Sequence, residues 1–130
     1  MERKFLICNK CGNLIEMIND SSITPFCCQT AMEEIIAKES DPEKGEKHLP
    51  TLSLNGLEAT ISVGEILHPM TEEHHIKWIY VETNQRKVRY DISSKSTPIV
   101  KFTLNQDENI INIFAYCNLH GLWLNRISTK

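Results

Sequence analysis

LPTLSLNGLEATISVG, residues 49–64, holds two runs of alternating apolar and polar residues around Asn55-Gly56. Asn-Gly is the favoured pair for a tight hairpin turn, and Ala59, Ile61 and Val63 fall on one face of the second run. The stretch therefore predicts a β-hairpin with one buried side. The same texture continues in HIKWIYVET (75–83), RKVRYDIS (86–93), PIVKFTL (98–104), IINIFAYC (110–117) and GLWLNRIS (121–128), with TNQ, SSKST and NQDEN as breaks. About seven short strands of this kind imply an antiparallel sandwich of immunoglobulin type. The disulfide and tryptophan spacing of antibody domains is missing, so the expectation concerns architecture alone. The chain is expected to be all-β, with no internal repeat, no low-complexity tract and no long helix.

Upstream of the hairpin the composition differs. Residues 1–36 carry four cysteines and little that could form a core, and so short a segment needs a metal or a crosslink to fold. Residues 37–47, with Pro42, Gly45 and many charges, read as an exposed linker. The expected organisation is a small metal-braced module at 1–36, a linker at 37–47 and the sandwich at 48–130.

The bulk numbers exclude several classes. Net charge is −3 and no basic run is present, which disfavours nucleic acid and membrane surfaces as partners. No segment approaches the apolar run of a membrane helix, and the four-residue apolar stretch in MERKFLICNKCG is too short for a signal-peptide core. A cytoplasmic protein is expected. Five cysteines in such a setting point to metal binding or thiol chemistry rather than disulfides.

Cys8-Asn9-Lys10-Cys11 is a C-x-x-C pair, and Gly12 behind it permits a tight turn; Cys27 and Cys28 follow as neighbours after Pro25. Four thiolates in two clusters suit a tetrahedral iron or zinc ion, whose binding would supply folding energy. Thiolate softness does not choose between the two metals. A redox pair of thioredoxin type lacks its βαβ surroundings. Neighbouring side chains of an extended chain point to opposite sides, so Cys27 and Cys28 can share one ion only if the backbone bends there. This pattern, C-x-x-C and then C-C, resembles the desulforedoxin module, whose metal is iron.

A second group is scattered: His48 in GEKHLP, His68 and His74 in HPMTEEHHI, Cys117 and His120 in YCNLHG. Each lies near a strand end or in a connection, and loops at one end of a sandwich can bring distant positions together. Pro69 keeps His68 in an extended backbone. Taken singly, each His is more often a surface or hydrogen-bonded core residue than a ligand. The joint pattern favours metal. The alternative, catalysis by Cys117 with His120 as base, lacks a third, orienting group.

GEKH, HPM-x-x-x-H-x-I-x-W-I and YC-N-x-HG, in this order, resemble the desulfoferrodoxins, the two-iron superoxide reductases, over essentially the whole chain. The resemblance implies His48, His68, His74 and His120 as imidazole ligands of an iron with an open sixth position, and Cys117 as its axial thiolate. It further implies that Lys47 attracts superoxide and organises proton-donating water, and that Glu46 closes onto the iron after turnover. His75 falls outside the ligand pattern. Such a chain would hold two irons, with zinc able to replace iron at the four cysteines. It would reduce superoxide to hydrogen peroxide, take electrons from an external donor, a rubredoxin, and form homodimers. The imidazole-rich site would be cationic when ferrous and the four-thiolate site anionic, so superoxide would be drawn to the former. The rival readings are a pure electron-transfer protein and a zinc-braced binding module.

Overall fold

The computed structural model describes residues 4–40, 48–64 and 68–127. The chain divides into two compact units, Met1–Ile36 and Ala37–Lys130. Both are built of strands, and among the described residues there is no helix.

In the first unit, β1 (Lys4–Ile7) pairs antiparallel with β2 (Leu14–Met17). Two more strands, β3 (Phe26–Cys27) and β4 (Thr30–Ala31), form a separate hairpin, and β5 (Glu33–Glu34) adds to the free edge of β1. The core is small: Leu6, Cys8 and Met32 are buried, with Ile15, Met17 and Cys27 packed against them. So little apolar burial leaves the module dependent on whatever its cysteines hold.

The second unit contains all seven strands expected from the alternating runs: β6 (Pro50–Asn55), β7 (Glu58–Val63), β8 (Ile76–Thr83), β9 (Lys87–Asp91), β10 (Ile99–Thr103), β11 (Ile110–Cys117) and β12 (Gly121–Arg126). They form a sheet ordered β10-β7-β6 and a second ordered β12-β11-β8-β9, with every pairing antiparallel. The period of two decides the packing. Ile61 and Val63 from one sheet meet Ile79, Val81 and Ile113 from the other, all fully buried. Each such side chain contributes about 1.5–3 kcal/mol relative to exposure.

The hairpin that opens the sandwich turns one residue later than Asn55-Gly56 suggests. Asn55 still pairs with Glu58, so the two loop residues are Gly56 and Leu57. Gly56 takes the positive φ of 64° at the first loop position, the signature of a II′ turn.

Register places one end of the sandwich under several chain reversals. Pro50 pairs with Val63, and Cys117 pairs with both Gly121 and Ile76. The segments before β6, after β7, before β8 and between β11 and β12 therefore share that end. A register shift between Tyr116 and Cys117 adds a bulge beside it. Bulges of this kind re-aim side chains near functional sites.

Candidate metal centres

The first centre is built on two turns. The Cys8 carbonyl accepts the Gly12 N–H at 2.8 Å and the Cys8 N–H donates to Asn13 at 2.9 Å, closing the C-x-x-C knuckle over Gly12 at φ 86°. On the other side, Cys27 pairs with Thr30, so Cys28 and Gln29 form the two-residue turn of the β3–β4 hairpin. Both take left-handed backbone, φ 54° and 61°. This is the bend that consecutive cysteines need to face one point.

The four sulfurs lie within 4.8 Å of one another, and Cys11 Sγ stands 3.6 Å from Cys27 Sγ. Tetrahedral coordination with metal–sulfur bonds of about 2.3 Å separates sulfurs by about 3.8 Å, so the cluster fits an ion with little adjustment. N–H groups of Cys11 and Lys10 facing its sulfur bring the Cys8 thiol down to about 6. Hydrogen bonding to Cys11, then Cys8 and Cys27, pushes the Cys28 thiol up to about 12. Four such neighbours do not all ionise unless a cation offsets their repulsion.

The second centre gathers residues from both sheets at the shared end of the sandwich. Ligand atoms of His48, His74, Cys117 and His120 lie within 4.8 Å of one another. His48 Nε2 is 3.0 Å from His120 Nδ1, and Cys117 Sγ is 3.9 Å from the same Nδ1. Two metal–nitrogen bonds of about 2.1 Å at a right angle would place their nitrogens about 3.0 Å apart. His68 joins through its ring, 4.7 Å from that of His48 and 4.5 Å from that of His74.

His68 supplies the sharpest test of fit. Its Nδ1 is 2.7 Å from the Pro69 carbonyl, which can only accept, so the proton sits on Nδ1. Nε2 then presents a lone pair, buried and meeting no hydrogen-bond donor among the described residues. Burial first, and the neighbouring imidazoles after it, lower the His68 pKa to about 4, so the ring is neutral near pH 7. A neutral imidazole oriented by a backbone carbonyl and packed against other histidine rings is the usual form of a metal ligand.

Cys117 is fully buried, and burial pushes its thiol up against the N–H groups of His120 and Leu119 that face its sulfur. His75 is turned away: its Nδ1 bonds the Thr71 carbonyl at 2.8 Å. Glu46 and Lys47, singled out by the sequence, lie outside the described residues.

Three neighbours escaped the sequence reading. Asn118 accepts the His75 N–H at 2.9 Å and donates to the Glu73 carbonyl at 3.0 Å, spanning His74 from both sides. Trp123 stacks on His48, with centroids 4.6 Å apart and planes at 17°. Lys38 donates to the His120 carbonyl at 2.8 Å. Asn118 and Trp123 could have been found from their places beside the YCNLHG turn. Lys38, 82 residues from His120, gives no local signal.

With this geometry established, similarity to known proteins is informative. The desulfoferrodoxin family profile matches residues 40–126. A desulfoferrodoxin homologue of Methanothermobacter thermautotrophicus is 36% identical over 116 residues, covering 89% of this chain and 92% of the relative. A superoxide reductase of Pyrococcus horikoshii is 34% identical over 104 residues, covering 67% of this chain and 90% of the relative. Among solved structures, the superoxide reductase from Treponema pallidum superposes with a TM-score of 0.80 at 25% identity, covering 96% of this chain and 98% of that one.

Proposed function

The chain belongs to the desulfoferrodoxin family, and from that membership and the two ligand clusters we propose that it is a superoxide reductase. It adds one electron and two protons to superoxide and releases hydrogen peroxide, with no dioxygen formed. The observation that carries this reading is the convergence of His48, His74, Cys117 and His120 on one point, with the oriented lone pair of His68 beside them. Iron held by these five residues would supply the electron and an open coordination position.

The protein's own groups do the rest. Neutral imidazoles leave the centre cationic when ferrous, which attracts an anion that the four-thiolate centre repels. N–H groups of Leu119 and His120 on the Cys117 sulfur moderate the electron density that the thiolate donates. We assign to Lys47 the capture of superoxide and the ordering of water that delivers protons, and to Glu46 the closing of the site after turnover. Cys8, Cys11, Cys27 and Cys28 hold the second iron, and their tetrahedral spacing would equally suit zinc.

An external donor restores the electron, and a rubredoxin fits that role. Five cysteines without a disulfide among them are consistent with the reducing cytoplasm. Among the described residues, no helix is long and apolar enough to cross a membrane. Exposed Ile23, Phe26 and Ile36 in the first unit support a homodimer that would cover them.

The test is iron quantification together with superoxide consumption followed by pulse radiolysis and an oxygen electrode. Two irons per chain, with hydrogen peroxide and no dioxygen as products, are expected. A colourless zinc protein, or dioxygen release, would overturn the reading.

A further inference from the structure

Lys38 precedes the residues matched by the family profile, which begin at 40, yet the fold brings it against the imidazole–thiolate centre. Its backbone is tied on both sides. The Lys38 N–H donates to Leu122 at 2.9 Å, and the Leu124 N–H donates to Lys38 at 2.8 Å, forming a parallel bridge to Trp123. Next to it, the Glu39 carboxylate accepts two N–H groups of Arg126 at 2.8 and 3.0 Å. The segment is thus pinned along β12, and the side chain of Lys38 is delivered to the turn that carries His120.

Two contacts hold the ammonium there. Its Nζ donates to the His120 carbonyl at 2.8 Å and lies 4.9 Å from the Trp123 ring centroid. Trp123 in turn stacks on His48. One fixed cation therefore touches the backbone of one candidate ligand and the aromatic neighbour of another. The side chain is exposed, so water and salt screen its charge in part, but the hydrogen bond stops it from swinging away.

We propose that Lys38 is a positioning residue that raises the reduction potential of the five-ligand iron centre. The couple is a single electron: the ferric centre takes one electron from the external donor and becomes ferrous, with its protein ligands unchanged. The ferric form carries one more positive charge, so a fixed cation nearby disfavours it and holds the centre in the state that reduces superoxide. This inference rests on the functional reading above and deepens it by naming a residue that sets the driving force. A unit charge on an exposed side chain, screened by water and salt, shifts such an equilibrium by about tenfold or less.

The experiment is a redox titration of the iron-loaded protein, with the visible bands of both centres followed in one sample. Lys38→Met keeps the apolar stem over Trp123 and removes the charge; Lys38→Arg keeps the charge. Lys38→Met is expected to lower the potential of the imidazole–thiolate iron by about threefold to tenfold in the ferric/ferrous equilibrium, tenfold being 59 mV for one electron. Lys38→Arg is expected to stay near the wild-type value, and the Met shift to shrink in added salt. An unchanged potential in Lys38→Met overturns the proposal, as does an equal shift in Lys38→Arg or in both iron centres. If wild-type protein turns over superoxide normally while Lys38→Met keeps its potential, only the role of Lys38 fails. A wild-type protein lacking the band of the five-ligand iron would sink the functional reading itself.

Discussion

Cys117 and His68 face opposite electrostatic problems at one site. Burial favours the protonated form of the thiol and the neutral form of the ring, so a cation is needed to make the sulfur a thiolate while the imidazole is already prepared. Replacing Cys117 with Ser is expected to cut superoxide reduction by at least 100-fold while leaving the four-cysteine absorption spectrum unchanged, measured by pulse radiolysis and visible spectroscopy. Asn118 poses a subtler case, because its amide spans His74 by binding residues 73 and 75. Its replacement by Ala should weaken iron binding at the imidazole–thiolate centre about tenfold to 100-fold, the range seen when groups that orient ligands are lost. Competition with a chelator would measure this. Asp in its place keeps the acceptor for the His75 N–H and should recover part of the loss.

The β3–β4 and β6–β7 hairpins show what a turn demands of its residues. In β6–β7 a glycine, Gly56, occupies the positive-φ position, and the backbone pays no steric penalty. In β3–β4 the two loop residues are Cys28 and Gln29, neither suited to φ near 60°. Cys28 is held there by its role beside Cys27. Gln29 has no such reason. Gln29→Gly is therefore expected to stabilise the first unit by about 0.5–1 kcal/mol, seen as a higher denaturant midpoint for loss of the four-cysteine band. The alternating runs located all seven sandwich strands because side chains on a strand repeat every two residues, whatever the partner. The hairpin turn was displaced by one residue because Asn55 found a ladder partner in Glu58, a choice made between strands and not within one.

The sandwich has a chemical end and a structural end. Opposite the metal-ligand cluster, where β8 and β10 finish, Glu108 is buried and accepts two N–H groups of Arg86 at 2.7 and 3.0 Å. It also accepts the Thr83 hydroxyl at 2.7 Å and the Asn105 N–H at 2.8 Å. Arg86 above all, with these donors, brings the Glu108 carboxyl down to about 2 from its ordinary 4.5. A carboxyl whose folded pKa is depressed stabilises the protein fully above its unfolded value and loses that contribution as pH falls through the folded one. The stability advantage of wild type over Glu108→Gln should therefore shrink as pH drops from about 4.5 towards 2, measured by urea midpoints at constant ionic strength. Arg86→Ala at neutral pH leaves the buried carboxylate without its partner and should cost about 3 kcal/mol.

Strand number and the two sets of metal-binding residue types are properties of short stretches, and the sequence by itself determined them. The pairing of Cys27 with Cys28 even announced a bend, which the left-handed backbone at Cys28 supplies. Tertiary structure decided which atoms meet. His48 and His120 are 72 positions apart, and only strand register and the stacking of two sheets bring their nitrogens to 3.0 Å. The same holds for Lys38, an ordinary residue of a charged segment until β12 pairs with it. Side-chain alternation follows from local backbone geometry, whereas convergence depends on how distant segments are packed, and no window along the chain contains that information.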